Sequence, residues 1–320
     1  MKAVQINQYG GVEVLQINEN TPKPTPKKGQ VLVEVFAASI NPFDWKVRQG
    51  YMKDAMSLPA TLGGDFAGKV VGTGDEIYGS ALIFNGGSGS FAQFAAVNIK
   101  NSAQKPKNVN FEEAAALPLV GSSAIQALEE HIKLQKGQKI LIHGGAGGIG
   151  HIAVQLAKHL GAYVATTVGT DDIEFAKSLG ADEVIDYKQS FQGFPYKQSL
   201  RPNGLKNQKF EEILKDFDAV FDTVGGETTD KSFSVLKNGG VLVSMLGQPK
   251  EELAKQYGVV AIGQGTETNA THLKRLKELV KNGIIKVNVD KVFSLNQVQE
   301  AFEYQEKNHP RGKVVLKIKV

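Results

Sequence analysis

Three glycines carry the most specific chemistry in this chain: Gly145, Gly147 and Gly150 stand at the spacing G-x-G-x-x-G in KILIHGGAGGIGHIAVQLAKHLGA. A glycine loop between a strand and a helix leaves backbone N–H groups facing outward at the positive helix end, where an anion is favoured. The first glycine permits the tight turn, the second lets the backbone approach a pyrophosphate, and the third lets helix and strand pack closely. The context this spacing demands is present: an apolar strand before it, an amphipathic helix after it and a valine-containing strand ending near Val168. The reading is a dinucleotide cradle built from Gly145, Ala146, Gly147, Gly148 and Ile149, set against a glycine-rich turn with no ligand, which fits that context less well.

The next strand end decides between nicotinamide cofactors. An NAD site places Asp or Glu there to hold the ribose 2′-OH. Here the strand ends in Thr166, Thr167 and Val168, followed by Gly169 and Thr170, which removes repulsion against a 2′-phosphate and favours NADPH. Asp171 and Asp172, just beyond, argue the other way. From Lys188 to Phe210 the chain carries Lys188, Lys197, Arg201, Lys206 and Lys209 and no acidic residue. That basic segment, with Tyr187 and Arg311, is a candidate 2′-phosphate site; the alternative is a solvated surface loop. Asp222, Val224 and Gly225 end a central strand in FDTVGGE, and Met245 to Gly247 end the next, so both are expected to face the cofactor.

These residues need elements to hold them. The first third, to about Leu117, reads as short valine-rich strands broken by turns such as TPKPTPKKG and FNGGSGS, a largely antiparallel arrangement. FEEAAALPLVGSSAIQALEE then reads as helices interrupted at Pro118. Strands and helices alternate from Lys139 to about Leu246, the pattern of a doubly wound parallel sheet. After the amphipathic run HLKRLKELV the tail returns to short strands. At 320 residues the chain exceeds one ordinary core. The expected division is a β-rich catalytic domain from residues 1–120 and 264–320, with the dinucleotide domain, 121–263, inserted between them.

Composition removes several function classes. There is no cysteine, hence no thiolate nucleophile, disulfide or thiolate metal site. The net charge of +4 is dispersed and supports no nucleic-acid footprint. No apolar run is long enough to span a membrane, and the start lacks a signal-peptide pattern, so a cytoplasmic protein is expected. No G-x-S-x-G elbow occurs. His151 and His159 lack metal-motif partners and are expected at the surface, and His143 is expected to be structural.

With these residues in view, the chain resembles the zinc-free branch of the medium-chain dehydrogenase/reductase superfamily, in its NADPH:quinone oxidoreductase and enone reductase group. The resemblance runs from MKAVQINQYGGVEVLQI through ASINPFDWKVRQGYMKD, LPATLGGDFAGKVVG, EEAAALPLVGSSAIQAL, the glycine loop, SLGADEVIDY, FDAVFDTVGGE and GGVLVSMLG to RGKVVLKI. It implies a Rossmann doubly wound domain inserted into a GroES-like β-rich catalytic domain, a cleft between them and a homodimer. Zinc-dependent members hold their metal at positions that here read Asn41 and the Gly64-Asp65 pair, which supply too few ligands for zinc. Without a Lewis acid an unactivated alcohol is a poor substrate. Departures lie at Gly72 to Asp75, which looks short, and Lys188 to Phe210, which looks long.

The implied reaction is hydride transfer from NADPH to a quinone or an α,β-unsaturated carbonyl, with charge developing on the carbonyl oxygen. Donors for that oxygen are sought in INPFDWKVRQGY: Asn41, Lys46 and Tyr51. Each has a plainer alternative, Asn41 as a turn residue before proline, Lys46 as a partner of Asp44, and Tyr51 as a packing group. Asn41 and Ser123 match family positions beside the nicotinamide, although Ser123 also suits a helix cap. Two other functions stay open: a cofactor-binding regulator without turnover, and a zinc-independent alcohol dehydrogenase.

Overall fold

The computed structural model describes residues 1–189 and 209–319. The chain divides into two compact units, one of residues 1–123 with 266–320 and the other of residues 124–265.

The first unit is β-rich. Its larger sheet runs, in spatial order, Val289–Ser294, Lys313–Lys317, Gln30–Ser39, Asp65–Val70, Glu76–Ser80 and Ser102–Gln104, with Phe94–Asn98 also paired to Gln30–Ser39. All pairings are antiparallel except that between Val289–Ser294 and Lys313–Lys317, which the helix Val298–Lys307 joins by a crossover. A second sheet pairs Ala3–Ile6 with Gln16–Asn18 and Ala60–Thr61. Val4, Ile6, Ile40, Phe91, Phe302 and Leu316 fill the core between them.

The helix Pro42–Arg48 belongs to this unit, and its sequence explains its placement. Pro42 at the first helical position lacks only an N–H that has no intrahelical partner anyway. The helix is anchored by Arg48, which is 1% exposed, pairs with Glu306 at 2.8 Å and donates Nε–H to Gly10 O at 3.2 Å. That anchor fixes the strand-to-helix corner at Asn41.

The second unit is a parallel sheet, six-stranded among the described residues, in the order Glu183–Asp186, Tyr163–Val168, Lys139–His143, Phe217–Asp222, Leu236–Ser244, Val260–Gly263. Numbered along the chain from Lys139–His143, this is the order 3-2-1-4-5-6 of a Rossmann fold, with its reversal between Lys139–His143 and Phe217–Asp222. KILIH lies at the sheet centre with Ile140 to His143 buried, as a strand covered on both faces requires. The following helix, Gly150–His159, buries Ile152, Ala153, Val154, Leu156 and Ala157 while His159 faces water.

Pro118 does open a new helix, Pro118–Ile125, after Phe111–Ala115. The sequence gives no hint that this helix continues as a π-turn over Gln126–His131.

Candidate active site

In the Rossmann unit the glycine loop caps the C-terminal end of the central strand. A Cβ on Gly145 would lie 2.1 Å from Thr166 Oγ1, and one on Gly150 would lie 2.0 Å from Gly144 O. Packing inside the protein therefore forbids a side chain at both. Gly147 differs: its nearest neighbour would be Gly144 O at 3.3 Å, and nothing else lies within 4 Å. The protein leaves open space at the middle glycine, which is the position that backbone approach to a pyrophosphate requires. Gly147, Gly148 and Ile149 are half-buried, whereas Gly145 and Ala146 are buried.

One histidine holds this loop, and a second is buried in the strand before it. His151 was expected at the surface and is instead fully buried, its Nδ1–H donated to Gly147 O at 2.9 Å. Its place one residue after the third glycine aims it back at the loop, and only that position in the sequence could have signalled the role. His143 is also fully buried. Ser232 spends its hydroxyl proton on Thr228 O, so His143 Nε2–H donates to Ser232 Oγ at 2.9 Å, and Nδ1 accepts from Thr167 Oγ1 at 3.0 Å. This assigns a neutral ring, and burial lowers its pKa to about 4.

Around the loop the strand ends offer an apolar surface. Val224 is 53% exposed and Leu246 46%. Asp222 accepts from the N–H groups of Val224 at 2.9 Å and Gly225 at 3.0 Å and from the Thr229 hydroxyl, which fixes this turn. Gly225 and Gly247 have φ of +87° and +114°, conformations that L side chains rarely adopt. Met245 is half-buried, its N–H bonded to Asp222 O. Gly169 is buried and Thr170 exposed at the end of Tyr163–Val168. Tyr187 is exposed, and Lys188 reaches back across Gly169, with Nζ 3.3 Å from where a Cβ would stand. Lys197, Arg201 and Lys206 lie outside the described residues. Arg311 is exposed and belongs to the β-rich unit.

In the β-rich unit Asn41 sits in a buried polar cluster beside a pocket lined by Asn41, Asp65, Leu82, Leu119, Thr266 and Thr268, among others. Its Nδ2 donates to Asp65 Oδ2 at 2.9 Å and its Oδ1 accepts from Lys313 Nζ, which also reaches Ile40 O at 2.7 Å. Ser39 and the Leu119 N–H donate to Asp65 as well, each at 3.2 Å. Asp44 accepts from the Asn41 backbone N–H at 2.8 Å. Burial pushes the Asp65 carboxyl up and the Lys313 ammonium down, and their mutual attraction opposes both shifts. Burial also lifts Asp44 to about 7, against the Asn41 hydrogen bond and with help from the Asp65 charge.

The other two proposed donors fall elsewhere. Lys46 makes no pair with Asp44, which is buried and engaged by Asn41; its ammonium lies 5.7 Å from the Trp45 ring centre instead. Tyr51 is 69% exposed and packs against little. Neither lines the Asn41 pocket. The helix buries Asp44, Val47 and Arg48, and Lys46 and Tyr51 fall outside that set. Ser123 is buried, donates to Leu119 O at 2.8 Å and meets Thr266 Oγ1 at 2.7 Å, so its hydroxyl binds within the helix and to the pocket wall. Sequence reasoning missed Lys313, which reads as one more lysine in RGKVVLKI yet is 3% exposed.

The donors at this cluster do not make a zinc site. Asp65 is already surrounded by Ser39, Asn41 and Leu119 donors, an ammonium stands beside it, and no group of three metal-ligating side chains occurs among the described residues.

Comparison with known proteins places this geometry. Residues 27–107 match the family of alcohol dehydrogenase GroES-like domains, and residues 179–316 match a family described as zinc-binding dehydrogenase. The chain is 37% identical over 334 residues to a 2-methylene-furan-3-one reductase of Solanum lycopersicum, covering 99% of this chain and 79% of that protein. It is 36% identical, with the same coverage, to an NADPH-dependent alkenal/one oxidoreductase of Arabidopsis thaliana. Among solved structures, the quinone oxidoreductase from Coxiella burnetii superposes with a TM-score of 0.85 at 33% identity, covering 100% of this chain and 99% of that one.

Proposed function

Because the chain belongs to the medium-chain dehydrogenase/reductase superfamily, in its quinone and enone oxidoreductase group, we propose that it reduces quinones or α,β-unsaturated ketones and aldehydes with NADPH. The observation that carries this reading is the glycine loop, where packing closes the space above Gly145 and Gly150 and leaves it open at Gly147. NADPH, when bound, supplies the hydride. The chain's own part is to hold and orient it. The Gly145 and Gly147 N–H groups are spent on Thr167 O and Gly144 O, so those of Ala146, Gly148 and Ile149 take the pyrophosphate, and Val224, Gly225, Met245 and Gly247 give an apolar edge for the flat rings. Asn41 is the polar group we assign to the acceptor's oxygen, and Ser123 borders the same pocket through Thr266. The asparagine, aspartate and lysine at that pocket suit an acceptor already polarised by conjugation, not an alcohol that needs a metal.

Lys188 supports the choice of NADPH. It is a described member of the basic segment, and its ammonium stands over Gly169, at the strand end where an NAD site would carry a carboxylate. The test is NADPH and NADH oxidation measured in parallel, with 9,10-phenanthrenequinone and a short enone as acceptors. NADPH is expected to be preferred by at least ~10-fold in kcat/KM, the worth of one charge-assisted hydrogen bond, and Lys188→Ala to narrow the gap. Equal use of both cofactors by the wild type would contradict the assignment.

A homodimer belongs to the same reading. Among the described residues the strand Val260–Gly263 is an edge of the parallel sheet, with Val260 54% exposed, and such an edge is a ready surface for a second copy.

A further inference from the structure

The Asn41 amide has its two ends held by opposite charges. Its oxygen faces the Lys313 ammonium and its nitrogen faces the Asp65 carboxylate, at 2.9 Å. A flipped amide would set donor against donor at Lys313 and acceptor against acceptor at Asp65, so this orientation is the only one the pair of charges permits. One Nδ2–H is spent on Asp65. The second has no partner among the described residues, although Asn41 is only 2% exposed and lines the pocket. A buried N–H without an acceptor is costly, and it is satisfied when a ligand brings the acceptor.

We propose that Lys313 is a positioning residue of the reduction: it holds and polarises the Asn41 amide so that the second Nδ2–H is presented to the acceptor's carbonyl oxygen. This rests on the reading of the chain as an enone or quinone reductase. In that reaction the acceptor takes hydride with its electron pair at the β-carbon, the C=C pair shifts to give an enolate, and water supplies the proton that completes the product. Charge is greatest on the oxygen between those two events. Drawing electron density toward the amide oxygen strengthens the opposite N–H as a donor, and bonds in such chains reinforce one another. Lys313 is well placed for this because it comes from a strand remote in sequence and is locked by a second bond, to Ile40 O at 2.7 Å.

The experiment is a mutant cycle on kcat between Lys313 and Asn41, with a short enone and saturating NADPH. Lys313→Met alone leaves Asp65 charged and unpaired, so the paired variant Lys313→Met/Asp65→Asn, neutral throughout, is made beside it. Removing one oxyanion donor costs ~100-fold or more in kcat, and each of Asn41→Ala and the folded Lys313 variants is expected to fall by about that factor. The NADPH dissociation constant is expected to stay within about twofold. Asn41→Ala added to the Lys313 variant is expected to cost no more than ~3-fold further, because the two residues act through one hydrogen bond. A kcat held within ~3-fold in the Lys313 variants, or losses that multiply fully in the combined variant, would overturn the assignment. A wild type that reduces neither enone nor quinone overturns the functional reading itself, and this inference with it.

Discussion

Gly147→Val is expected to weaken NADPH binding by ~100-fold or more while leaving the thermal midpoint within about 3 °C of wild type. Gly147 does not have a positive φ, and a Cβ there meets only Gly144 O, at 3.3 Å. A small local adjustment absorbs that contact, so the fold loses little. The cofactor loses more. The valine methyls fill the space the pyrophosphate would occupy and hold it away from the loop N–H groups. Charge-assisted hydrogen bonds are worth roughly 1.5 to 3 kcal/mol each, and ~2.7 kcal/mol is a hundredfold in affinity. Gly150→Ala is the contrasting control. Its Cβ would lie 2.0 Å from Gly144 O, a clash with backbone that cannot yield cheaply, so that variant is expected to lower the thermal midpoint as well. Calorimetric titration with NADPH and a melting curve on each variant separate the two outcomes. A Gly147→Val protein that binds NADPH normally would show that this loop is not the cradle.

The second large effect is in the pH dependence of stability, where two buried groups oppose each other. His143 has its pKa lowered from 6.5 to about 4 by burial. Between those values the unfolded chain takes up a proton that the folded ring refuses, so stability is lost as pH falls through the window, by about 3 kcal/mol in all. Asp44 behaves in the opposite sense, raised from 3.8 to about 7 by burial, with the Asp65 and Lys313 charges also acting on it. There the folded state holds a proton that the unfolded chain has released, so stability is lost as pH rises through the window, by about 4 kcal/mol. In the wild type the two slopes have opposite sign between pH 4 and 6.5 and offset each other in a transition that unfolds both groups. Single variants unmask them. Asp44→Asn keeps an acceptor for the Asn41 N–H and removes the titration, so its advantage over wild type is expected to grow from pH 5 to pH 8. The chain has one tryptophan, Trp45, beside Asp44, so its fluorescence in urea follows the affected unit. His143→Gln is expected to gain relative stability toward pH 4.5. Parallel pH curves for both variants and the wild type would contradict these assignments.

Much of the architecture was legible because it rests on local pattern. The glycine spacing, the buried-type strand KILIH and the alternation that follows it are read from neighbouring residues, and the Rossmann order reports them directly. The π-turn over Gln126–His131 was not legible, since its residues are ordinary helix formers. The site was half legible. Asn41 could be singled out from its segment, but its true partners are Asp65, 24 residues away, and Lys313, 272 residues away. Periodicity gave no warning of Lys313, because Lys317 lies on the same face of the same strand and is exposed. His151 was misplaced for a related reason. A histidine on an amphipathic helix reads as surface until the loop carbonyl that captures it is seen, at 2.9 Å from Nδ1. Lys46, on the helix, and Tyr51, just beyond it, are residue types fit for the chemistry, but neither lines the Asn41 pocket, and the segment's sequence does not show which of its residues do.

The central claim, direct hydride passage from NADPH to a conjugated acceptor, is tested most directly by isotopic label. NADPH carrying deuterium at both C4 positions is incubated with the enzyme and a short enone in ordinary water, and the product is analysed by NMR. One deuterium at the β-carbon and ordinary hydrogen at the α-carbon is the expected result. A saturated product without deuterium, deuterium on the carbinol carbon of an allylic alcohol, or no consumption of NADPH with any enone or quinone would contradict the account.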